Sequence, residues 1–219
     1  MGKFIWEPDA APGGRYRDKS TGRFVKPEVV RGELDSILEN SNKDTTQVLA
    51  EQLRNRELSV QDWQLEMRAH IKEVHINSIA LERGGFQNMT PADYGRAGQI
   101  IREQYGYLDK FAKEIQTGEQ KLDGTLQARA KLYTEAGRET FYKSKQANIT
   151  QGDEAATHVA SHLNPADHCD ECVALDGKIF RIGDKAYKLP GQRICRKNCK
   201  CSEVYYRFVD GEYVEVDSG

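Results

Sequence analysis

The chain has 219 residues, enough for a helical body with a small second module, and its 38% hydrophobic and 30% charged residues, with a mean hydropathy of -0.74, describe a wet molecule. A formal net charge of -2 excludes a global field that would pull it onto nucleic acid or an anionic membrane. No apolar run approaches the roughly 18 residues of a membrane span, and residues 1–14 lack the charged and apolar regions of a signal peptide, so a membrane role is excluded and cytoplasmic synthesis expected.

In chain order, the first predicted element is an extended N-terminal arm, residues 1–27. Pro8, Pro12, Gly13, Gly14 and Gly22 rule out a long helix there, and RYR and RFV flank a DKSTG turn. Phe4, Ile5, Trp6, Tyr16, Phe24 and Val25 are too many apolar anchors for a disordered tail, so the arm is expected to lie on another surface.

A helical domain follows over residues 28–150. Val30, Leu34, Ile37 and Leu38 give one helical face after Pro27, then a polar break is predicted over residues 40–44. A second helix is placed at 45–56. Ser59 caps a third, with Asp62 at N3 and Trp63, Met67, His70, Ile71, Val74 and Ile79 along one side before Gly84-Gly85. Thr90-Pro91-Ala92-Asp93 opens a fourth, carrying Tyr94, Ile101, Tyr105, Leu108, Phe111 and Ile115, and a fifth over 125–147 carries Leu126, Ala130, Tyr133 and Phe141. These stripes are read as seams between helices rather than as a cofactor groove.

Residues 151–219 change character. Strand-like runs at 173–175, 178–182, 204–209 and 213–216 are joined by the turn signals Asp176-Gly177 and Asp210-Gly211. All five cysteines lie here: Cys169 and Cys172 in a CxxC knuckle, then Cys195, Cys199 and Cys201. In a reducing compartment such a cluster points to metal rather than disulfides, and CxxC with a second cysteine group at this distance fits a structural zinc. Four ligands suffice, so Cys169, Cys172 and Cys195 are assigned with one of Cys199 and Cys201, and His168 stands as a further candidate. Metal binding would supply the folding energy that short strands with few large apolar residues lack. The fold class expected is therefore mainly α with a small C-terminal zinc-stapled β module, an α+β arrangement.

His158 and His162, at i and i+4, would share a helical face as in zinc proteases, but Val159 stands where the general-base glutamate would be. A nuclease using His162, Asn164 and His168 is a weaker alternative, and the chain is expected not to be an enzyme.

The run CDECVALDGKIF, the LPG that follows and NCKC resemble the C-terminal signature of phage head morphogenesis proteins of the MuF type, the phage minor head proteins. That pattern carries a histidine where this chain has Cys195, and an arginine where it has Lys200. The segments RYRDKSTGRFV and MTPADYGRAGQIIREQYGYLDKFA are similar to stretches of phage and prophage proteins. The resemblance implies a structural component of the virion head, made in the host cytoplasm and acting near the portal or inner capsid during assembly. Its partners would be portal or major capsid protein and copies of itself. The alternative is a zinc module that touches packaged DNA through Arg193, Arg196, Lys197 and Lys200.

Overall fold

The computed structural model describes residues 4–7, 15–151, 155–164, 166–196, 199 and 201–216. The chain is mainly α-helical with a four-stranded antiparallel sheet towards its C-terminus, as the sequence pattern predicts. Among the described residues no helix is long and apolar enough to cross a membrane.

Strands β1 (Phe4–Glu7) and β2 (Arg15–Asp18) pair antiparallel, and β2 turns back through DKSTG so that Val25 N–H donates to the Tyr16 carbonyl. The Asp18 carboxylate builds that turn by accepting the Ser20 and Thr21 amides at 2.8 and 2.9 Å. Tyr16 is the anchor: it is buried, and its hydroxyl donates to the Glu82 carbonyl. The anchoring read for Phe4, Ile5 and Trp6 concerns side chains outside the described residues.

Helix α1 (Pro27–Ser41) does not break at the polar residues 40–44. It passes through a π-helical turn, Asn42–Gln47, directly into α2 (Val48–Arg54). The turn carries Thr46 inward, where its hydroxyl lies 3.0 Å from His70 Nε2 and 2.8 Å from Thr134 Oγ1. The polar stretch that suggests a loop thus stays helical: Asn42 within it is buried, and Thr46 just beyond it has partners on two other helices.

Helices α3 (Val60–Glu82) and α4 (Pro91–Gln116) start at the caps Ser59 and Thr90, and α5 (Gly124–Ile149) starts one residue ahead of the expected Thr125, capped by Asp123. Thr90 and Asp93 form the reciprocal capping box, and Asp93 also receives Arg83 at 2.9 and 3.1 Å. Trp63, Met67, Ile71, Leu108, Phe111, Leu126 and Ala130 fill the space between these helices, with Trp63 edge-on to Phe111 at 5.5 Å. Gly137 lets α5 come close to α1 and α3, since a Cβ there would sit 2.7 Å from Leu38 Cδ2 and from Val74 Cγ1.

The sheet runs in the order β4-β3-β5-β6, with β3 His158–His162, β4 Ile179–Arg181, β5 Ser202–Val209 and β6 Glu212–Val216. Asp210 and Gly211 turn the β5–β6 hairpin with φ of 52° and 91°, the left-handed pair that a two-residue turn needs. Two expectations are corrected. Residues 173–175 close a short helix, α6 (Asp170–Leu175), rather than a strand, and His158 and His162 lie on β3 rather than on a helix. Residues 158–162 form a central strand covered on both faces, with the consecutive Val159, Ala160 and Ser161 fully buried.

Sheet and helices share one core. Val30, Leu34, Val74, Phe141 and Tyr142 pack in the same buried cluster as Val159, Leu175, Tyr205 and Val216.

His70 and His75 are buried, and burial holds both imidazoles down to about 4. An unfolded chain protonates them near pH 6.5, so their contribution is full above that pH and is lost as pH falls towards 4. Each is worth on the order of 3 kcal/mol across that window. Urea unfolding at pH 7 and pH 4.5 should therefore show a smaller acid loss in His75→Gln than in the unaltered chain. Equal losses would count against this account.

Candidate metal centre

The CxxC knuckle straddles the start of α6: Cys169 is its N-cap, and one turn later Cys172 brings its Sγ 3.6 Å from that of Cys169. The loop after β4 delivers Cys195 to 3.5 Å and Cys199 to 3.9 Å from the same Cys172 sulfur. The start of β5 brings Cys201, whose Sγ is 3.7 Å from His168 Nδ1. Cys172, Cys199 and Cys201 are buried, and all five cysteines are free thiols. The nearest sulfurs are far outside the roughly 2.05 Å of a disulfide. Two groups of ligand atoms, His168 with Cys172 and Cys201, and Cys169 with Cys172 and Cys195, each lie within 4.8 Å of one another and could hold a metal ion.

The histidine is set up as a donor. Its Nε2 lies 2.6 Å from the Asn164 carbonyl, which can only accept, so Nε2 carries the proton and Nδ1 presents a lone pair towards the sulfurs. As thiols, Cys172 and Cys195 hold their protons hard, because burial, with the neighbouring sulfurs, pushes Cys172 far up and Cys195 to about 12, whereas hydrogen bonds from Cys172 outweigh burial and hold Cys169 below the usual thiol value. A bound cation is the physical means of making thiolates of them.

The loop from Lys188 to Cys195 is fixed by contacts the sequence pattern does not announce. Glu171, inside the CxxC knuckle, accepts the Ile194 amide at 2.6 Å and pairs with Lys188. Gly191, at φ 97°, lets the LPG turn press on α5: a Cβ there would lie 2.9 Å from the Glu139 amide nitrogen. Gln192 donates to Glu139 at 2.7 Å.

Arg193 corrects the surface patch. Read as one of four cations facing DNA, it is 0% exposed. Its guanidinium donates to the Lys188 carbonyl at 2.8 Å, Ser161 Oγ at 2.9 Å and Tyr187 at 3.2 Å, and Nη1 lies 3.7 Å from Cys199 Sγ. Beyond it Tyr187 and Tyr205 donate to the buried Glu203 at 2.6 and 2.7 Å. Arg196 is exposed, and Lys197 and Lys200 lie outside the described residues. Nothing in the periodicity of an irregular loop distinguishes Arg193 from Arg196, so its inward turn could not be read.

The histidine pair does not share a helical face. Four strand steps separate His158 and His162 by about 13 Å, and His158 packs against Tyr213 and Phe208 at 5.0 and 6.0 Å. His162 and Asn164 likewise form no group with His168 beyond the bond from its ring to the Asn164 carbonyl.

Arg193→Met should destabilise the protein by about 3 kcal/mol, because it leaves buried acceptors and the Glu203 network without their cation. Arg193→Lys should recover less than half of that, since one ammonium cannot meet three diverging acceptors. Thermal melts of the three proteins check the order. No family model, no curated protein and no solved structure matches the chain.

Proposed function

We propose that this chain is a structural assembly protein whose C-terminal module is held shut by zinc, and that it serves as a minor head protein in a bacteriophage virion. The observation that carries the reading is the convergence of four thiols and one imidazole on the buried Cys172 sulfur. A catalytic zinc keeps an open corner for water, whereas here the donors outnumber the four corners of a tetrahedron and the central sulfurs are buried.

Zinc fits the donor set. Two thiolates bound to one ion at the usual Zn–S length of roughly 2.3 Å in tetrahedral geometry lie about 3.8 Å apart, and the measured separations are 3.6, 3.5 and 3.9 Å. Cys169, Cys172, Cys195 and Cys199 would hold the ion, and its chemistry there is to tie α6 to the loop that follows β4. The virion role is supported by the residues that resemble the MuF-type signature.

Two measurements test the two parts. Chelation should open residues 166–201 to protease while the far-UV helical signal persists, because the helices have cores of their own. Retained protection after metal removal would count against the zinc staple. Purified particles from the genome encoding this chain should contain it in their heads. Its absence from particles, with abundant free protein in the lysate, would refute the virion role.

A further inference from the structure

Building on the zinc reading, we propose that the cluster takes two ions, bridged by the sulfurs of Cys172 and Cys199. The two ligand groups are distinct at their outer ends and share Cys172: Cys169 and Cys195 lie on one side, His168 and Cys201 on the other. A single tetrahedral ion would use four of the six donors and leave two idle. With Cys169, Cys172, Cys195 and Cys199 on that ion, the idle pair is Cys201, 0% exposed, and His168, whose Nδ1 already faces it at 3.7 Å.

Two tetrahedral ions need eight bonds, and six donors supply eight when two of them bridge. Cys172 is one bridge because both groups contain it. Cys199, which neither group of three contains, is assigned as the other: it lies 3.9 Å from Cys172, the spacing of two thiolates on a common ion, and both are 1% exposed.

Charge points the same way. Five thiolates, a neutral imidazole and two Zn²⁺ leave one negative charge, and one buried cation faces it. Arg193 Nη1 lies 3.7 Å from Cys199 Sγ and 4.0 Å from Cys172 Sγ, so the guanidinium is set against the proposed bridges. The assembly is then neutral in a place where an unbalanced charge would be costly to bury. One ion with four thiolates beside the same arginine would keep a net negative charge.

The test is metal stoichiometry on the full chain, purified from zinc-supplemented cells and measured by atomic emission. Two zinc ions per chain are expected, falling to one in His168→Ala with Cys201→Ser, which leaves the other four ligands in place. One zinc in the unaltered chain overturns the second ion while leaving the zinc staple standing; none overturns both. Because the double variant could fail to fold, cobalt(II) titration of the unaltered apo protein provides a second measurement. The paramagnetic signal of the first equivalent should diminish as the second binds, because thiolate bridges couple the two spins. Two signals that rise independently would overturn the bridging.

Discussion

Thiolates are stable out of water only beside positive charge, and the C-terminal half of this protein is organised around that requirement. Cys172 sits at 1% exposure with three other sulfurs within 4 Å. The surrounding residues meet the same need in graded fashion. Arg193 stands against the sulfurs, Tyr187 relays its hydrogen bonding outward, and Glu203 closes the network from β5. In the loop from 188 to 195, Leu189 is anchored in the shared core, and the conformation beyond it follows from Glu171, Arg193 and the cysteines.

The helical body solves a related problem without metal. A chain of such low mean hydropathy has a modest apolar supply, and polar side chains are buried at the seams where several helices meet. Thr46, His70 and Thr134 bond one another between the π-helical turn, α3 and α5. Glu82 is buried with Ser144 and Asn148 around its carboxylate, and burial raises its pKa. Such networks stabilise only while every member has a partner, which favours one helix arrangement over its close competitors.

Much of this was legible from local chemistry. The third, fourth and fifth helices begin at Ser59, Thr90 and just before Thr125 because caps and propensities act over a few residues. The Asp210-Gly211 turn was legible because left-handed φ at two successive positions narrows the choice of residues. What failed depended on distant partners. The 40–44 segment looks like a loop until a π-helical turn buries Asn42 and carries the adjoining Thr46 onto His70 and Thr134, and the 173–175 run looks like a strand until the CxxC turn winds it into a helix. At the site, the cysteines and His168 were visible through spacing, whereas the inward turn of Arg193 depends on Ser161, Tyr187 and the sulfurs, which sequence spacing does not bring together.

The shared core has a consequence in time. Val30 and Leu34, near the beginning of the helical body, pack in one cluster with Tyr205 and Val216 from the last two strands. Contacts between such distant parts of a chain form late, after loop entropy has been spent on everything between them. During synthesis the helices can assemble as they emerge, but the strand that carries Cys201 cannot seat until nearly all of the described chain is present. The metal centre would then close last, so that a loaded cluster marks a copy whose helical body is already complete.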